Sequence, residues 1–136
     1  MRDIKFRAWD KNNKNLLKIF DSTTQEYWFI PMWNKNFEIM QYTGLKDRKG
    51  KEIYEGDILD FEDTDNKGRD FYNRAELEFN KGRYEFKKFL IEDTYVEEEM
   101  HNSSNSDFID IIKDSDVVGN IYENPELLEG ENNVDS

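Results

Sequence analysis

The chain has no cysteine, only two prolines and a single histidine among its 136 residues. Without cysteine there are no disulfides, no thiolate zinc sites and no cysteine nucleophile. With one histidine, a transition-metal site would have to be built almost wholly from carboxylates. The seven glycines are scattered singly, so no glycine-rich loop is present to cradle a phosphate. No apolar run reaches the length of a membrane span, and no basic-then-apolar segment opens the chain. The expectation is a protein with no membrane partner that stays in the cytoplasm where it is made.

What is present is aromatic and acidic. Ten Phe, seven Tyr and three Trp dominate the apolar inventory, and aromatic rings suit the pleated, half-buried surface of a sheet. The length suits one domain, which buries roughly two-thirds of its unfolded surface. The net charge of −12 is unevenly spread: residues 1–56 carry 11 Lys/Arg against 8 Asp/Glu, residues 57–136 carry 8 against 23. Such a balance repels phosphate backbones and disfavours direct binding of DNA or RNA.

Period-two alternation recurs along the first two-thirds of the chain. Ile4, Phe6 and Ala8 alternate with Lys5, Arg7 and Trp9, which predicts a first strand. A polar turn at 10–15 leads to a return strand at 16–20. The stretch Tyr27 to Trp33 is apolar on both faces and contains Pro31, which places it at a sheet edge or across one end of a barrel. Further strands are predicted at 37–43 and 52–61, with Leu59 and Phe61 on one face and Asp60 and Glu62 on the other. After a charged loop at 62–70, Ala75, Leu77 and Phe79 alternate with Glu76 and Glu78. Asn80-Lys81-Gly82 supplies a hairpin turn, with Gly82 suited to positive φ, and Tyr84 and Phe86 begin the return strand.

Beyond Phe89 the pattern changes. Residues 92–106 are acidic and rich in Ser and Asn, although Thr94 to Glu97 has capping-box spacing for a short helix. Phe108, Ile109, Ile111 and Ile112 follow acids at helical spacing and predict an amphipathic helix. A last strand is expected at 117–122. Asn124 as N-cap, Pro125 at the first helical position and Gly130 beyond Leu128 predict a short C-terminal helix. Many short strands with close turns point to a mainly β protein, a small antiparallel barrel with a polar insertion near 92–107 and short C-terminal helices. One domain is expected over 1–130, with 131–136 a disordered tail.

Four strings occur in order: Arg2 to Asp10 (RDIKFRAWD), Gln41 to Asp47 (QYTGLKD), Gly50 to Ile58 (GKEIYEGDI) and Val118 to Leu128 (VGNIYENPELL). Together they resemble the YopX family of bacteriophage and prophage proteins from Gram-positive hosts. The resemblance implies an SH3-like barrel of unassigned function, made in a bacterial host, with no catalytic motif to carry over. Its motif positions, Trp9, Tyr42, Gly44, Gly56, Asp57, Gly119, Tyr122 and Pro125, are expected to be structural. Gly56 permits a tight entry into a strand, and Asp57 can accept backbone N–H bonds there. Residues 21–36 and 62–107 match no family pattern, so a role particular to this protein would sit there.

Candidate chemistry is thin. Residues 63–68 begin like a calcium loop, but Lys67 and Arg74 stand where ligand oxygens are required. His101 lies among acids with Ser103, Ser104 and Ser106 nearby, yet no nucleophile elbow surrounds them. Asp57, Asp60, Glu62 and Asp63 would suit an acid/base pair, but an acidic chain produces such neighbours by chance. No catalytic residue, metal ligand or cofactor is therefore expected, and the chain is not read as an enzyme. The strongest single-sign patch is Glu97-Glu98-Glu99 with nearby acids, and the strongest aromatic cluster contains Trp28 and Trp33. These five residues are the candidate partner-binding positions. The expected function is a non-enzymatic protein-interaction module. The alternative is an acidic, nucleic-acid-mimicking inhibitor of a basic host protein. The partner's identity is left open, as is homo-oligomer formation.

Overall fold

A computed structural model describes residues 3–27, 35–80, 83–92, 94–102 and 105–129. The strands are β1 (Lys5–Asp10), β2 (Asn15–Asp21), β3 (Glu26–Tyr27), β4 (Phe37–Lys46), β5 (Glu52–Tyr54), β6 (Asp57–Thr64), β7 (Asp70–Asn80), β8 (Arg83–Lys87) and β9 (Asp116–Asn120). Two helices, α1 (Tyr95–Asn102) and α2 (Asn105–Lys113), separate β8 from β9, and a 3-10 turn follows at Pro125–Leu128. The strands form two antiparallel sheets, one ordered β3-β2-β1-β4-β5 and the other β8-β7-β6-β9.

Among the described residues no ladder joins an edge of one sheet to the other, so the expected SH3-like barrel is not closed by strand pairing. Gly56 sits where the chain passes from one sheet to the other. Its φ of +85° turns the chain between β5 and β6. There it donates its N–H to Leu77 O and accepts from Ile121 N–H, each at 3.0 Å, so single bonds tie this connection to β7 and to the residue after β9.

The alternation in β6, β7 and β8 places Leu59, Phe61, Ala75, Leu77, Tyr84 and Phe86 on the inner face of the second sheet. Ile53 closes one side, and Val96 of α1 with Phe108 and Ile112 of α2 covers the rest. Phe86 stacks on Phe61 at 4.6 Å and meets the edge of Phe108 at 4.7 Å. Burying one such side chain contributes about 1.5–3 kcal/mol, so this sheet and α2 form the main core. Phe79, expected to continue the inner row, is 44% exposed near the end of β7.

The acidic 92–107 stretch contains α1. Thr94 is buried, and its Oγ1 accepts the Glu97 N–H at 3.1 Å, the bond that the capping-box spacing anticipates. Asp63 Oδ1 accepts the Val96 N–H at 3.2 Å and fixes the helix start against β6. The expected C-terminal helix is a single 3-10 turn. Asn124 makes no side-chain cap to it; its Oδ1 instead accepts the Asn120 N–H at 3.3 Å. Lys81, Gly82, residues 28–34, Gly130 and the tail 131–136 lie outside the described residues.

Candidate functional site

The motif residues from the two ends and the middle of the chain meet at the junction of the sheets. Trp9 of β1 stacks on Tyr122 with ring centroids 6.0 Å apart. Gly56 lines the same cleft as Tyr122, and an added Cβ there would stand 3.2 Å from Met40 Sδ and 3.7 Å from Ile121 Cγ1. At Gly119 a Cβ would lie 2.5 Å from Asn124 Oδ1, so glycine lets the C-terminal segment fold back onto β9. Gly44 has a φ of +86°, and Pro125 is the exposed first residue of the 3-10 turn.

Asp57 is 2% exposed and pairs with Arg7 at 2.5 Å. Its second oxygen accepts the Tyr54 N–H at 2.8 Å, and the Arg7 guanidinium lies 4.4 Å from the Tyr54 ring centroid. Burial pushes the Asp57 carboxyl up, against the pull of Arg7 and the Tyr54 N–H. Buried Tyr42 contacts Tyr54 at 5.5 Å with Lys5 over its ring, and Lys5 pairs with Glu52. The charges of this half of the junction are paired, although the buried Arg7 Nε has no hydrogen-bond acceptor among the described residues, and the arrangement reads as structural support.

Beside it opens a cleft of about 220 Å³ whose lining includes Met40, Glu55, Gly56, Glu76, Glu78 and Tyr122. Glu76 is its unusual member. Because Ala75 and Leu77 face the core, the pleat turns Glu76 and Glu78 to the opposite face of β7. That face is partly covered, and the Glu76 side chain is only 4% exposed. Lys87 and Lys88 approach it at 3.5 and 3.9 Å, yet its Oε1 has no hydrogen-bond donor among the described residues. Burial pushes the Glu76 carboxyl up, opposed by the two lysines. Lys87 sits closer to Glu78, at 2.9 Å, and that bond raises the Lys87 ammonium. Glu55 accepts the Gln41 N–H at 3.0 Å. Among the described residues, Glu55, Glu76 and Glu78 thus line the cleft with Lys87 and Tyr122, an arrangement that favours positive charge.

The expected partner-binding residues fall elsewhere. Trp28 and Trp33 lie outside the described residues. Glu97 and Glu98 occupy the first turn of α1, where acids complement the helix dipole. Glu99 continues that helix, its side chain outside the description, as are the side chains of His101 and Ser106. Ser103 and Ser104 lie outside the described residues altogether. On β6, Asp57 and Asp63 alternate with Asp60 and Glu62 and point to opposite faces. Asp60 faces Arg74 at 3.6 Å. The calcium-like segment is a turn in which Asp65 Oδ1 accepts the Lys67 and Arg69 N–H groups at 2.9 Å. Among the described residues no group of His, Asp or Glu is arranged to hold a metal ion. Sequence reasoning missed Arg7, Glu76 and Lys87, since nothing in a strand's alternation signals what covers its outer face.

Fold and junction define a small two-sheet β protein in which the beginning, middle and end of the chain build one structural knot. The chain belongs to the YopX family: the family model described as YopX protein matches residues 5–129. It is similar to the crystal structure of protein EF1440 from Enterococcus faecalis, with 26% identity and a TM-score of 0.56, covering 93% of this chain and 98% of that one. No curated protein matches the chain. Among the described residues no helix is long and apolar enough to cross a membrane.

Proposed function

We propose that the protein is a non-enzymatic protein-interaction module of phage or prophage origin, acting in the cytoplasm of a bacterial host. The cleft carries this reading. A buried carboxylate lacking one hydrogen bond is costly to the isolated fold, by about 1–3 kcal/mol, and an external donor would relieve that cost. The acidic surplus of residues 57–136 favours a basic partner, which also supports action as an acidic inhibitor of a basic host protein. The test is affinity capture from host lysate at low and high salt, comparing wild type with Glu78→Lys in the cleft. A second arm reverses Glu97, Glu98 and Glu99 together on α1. The reading expects a captured protein that is released by salt and lost with one of the two variants. Equal capture by all three baits would overturn it.

A further inference from the structure

We propose that the cleft takes one arginine side chain of a basic protein partner, its guanidinium resting on Glu76 and displacing Lys87 from Glu78. This rests on the interaction-module reading and names the chemistry that the site recognises.

Charge comes first. Among the described residues Glu55, Glu76 and Glu78 line the cleft with Lys87, so the lining carries a surplus of negative charge that favours a cationic guest. Glu76 is the second observation, independent of that surplus. Its side chain is 4% exposed, and its Oε1 is buried without a hydrogen bond. Lys88 stands 3.9 Å from that oxygen and is itself 66% exposed, so it solvates the carboxylate poorly. A guanidinium presents five donors in a planar fork and can serve two acceptors at once, where an ammonium is a point charge.

Geometry adds to this. Glu76 and Glu78 are two residues apart on one face of β7, so a planar cation entering between them reaches both. Tyr122 lines the same cleft and its ring is held by its stack on Trp9, an aromatic group of the kind on which guanidinium groups rest. Lys87 is suited to leave. Its side chain is 45% exposed and its contact with Glu76 is long, so displacement breaks one close bond, that to Glu78 at 2.9 Å, and returns a flexible ammonium to water.

The test uses the full chain, isotopically labelled, titrated with a capped tri-arginine peptide. Tri-citrulline, the neutral counterpart, and tri-lysine serve as comparators. The expected result is movement of the Gly56, Leu77, Lys87 and Tyr122 amide resonances with tri-arginine, weaker movement with tri-lysine and none with tri-citrulline. Glu76→Gln keeps the side-chain volume and should weaken binding by roughly tenfold or more. Lys87→Met, which removes the competing cation, should tighten it. If Glu76→Gln fails to fold, Glu78→Gln, at a more exposed position, carries the same test. Shifts confined to α1, binding of tri-citrulline as strong as that of tri-arginine, or affinity unchanged by both glutamine variants would overturn the assignment. A lysate partner still captured by Glu76→Gln would sink this proposal while leaving the module reading in place. Loss of capture with tri-arginine binding intact would have the opposite meaning.

Discussion

Gly56 shows how one residue can constrain the passage between two sheets. Its φ of +85° lies in the left-handed region, and an added Cβ would stand a tight 3.2 Å from Met40 Sδ. Gly56→Ala should therefore cost about 1–2 kcal/mol from the backbone alone, read as a lower urea midpoint; an unchanged midpoint would contradict the packing described. Its neighbour Asp57 was legible as an acceptor of backbone N–H bonds, because Gly-Asp before an apolar alternation marks a strand entry. Its partner Arg7 was not, since the two are 50 residues apart and no local pattern links them. Removing one member of a buried pair leaves an uncompensated charge. Arg7→Met should thus cost roughly 3–5 kcal/mol, with much of it recovered in the Arg7→Met/Asp57→Leu double variant. At Glu76 the sign of the pH effect follows from burial, which raises the carboxyl above its ordinary value of 4.5. The protonated group is the better tolerated one. The stability it contributes is present below that value and is lost as pH rises through the raised one. Thermal melts should find Glu76→Gln at least as stable as wild type near neutral pH, with the difference shrinking on acidification. A wild type more stable than the variant at neutral pH would contradict this account.

At the scale of elements, the strands with buried alternation were the most legible. Leu59 and Phe61, then Ala75 and Leu77, then Tyr84 and Phe86 announce β6 to β8, and the inner face forms from them. α1 was legible through Thr94 and Glu97, and α2 through the spacing of Phe108 and Ile112. Thr94→Ala should remove the α1 cap at a cost of about 1 kcal/mol, with faster amide exchange at Glu97; exchange as slow as in wild type would show that the cap is dispensable. The C-terminal turn was half legible. Pro125 starts it as expected, but Asn124 is drawn back to Asn120 by the close approach at Gly119, a tertiary contact that capping rules do not encode. The burial of Glu76 was hidden for a related reason. Alternation separates the two faces of a strand, yet the packing that covers the outer face comes from segments distant in sequence.

Across the whole molecule, the arrangement explains why the family strings recur at the beginning, middle and end of the chain. Trp9, Gly56 and Tyr122 are far apart in sequence and together in space, so no one string can form the junction alone. A closed barrel was the natural expectation from many short strands, but β3 and β5 offer only two and three residues for pairing. The charge imbalance of the chain finds a local counterpart in the cleft, where burial makes the Glu76 carboxylate more costly to leave unmatched than one on an exposed helix. The most direct measurement is affinity capture from host lysate, with wild type and Glu76→Gln as paired baits across a salt series. The account predicts a basic protein that wild type retains at low salt, releases at high salt, and that Glu76→Gln fails to hold. Retention of the same protein by both baits, unaffected by salt, would contradict it.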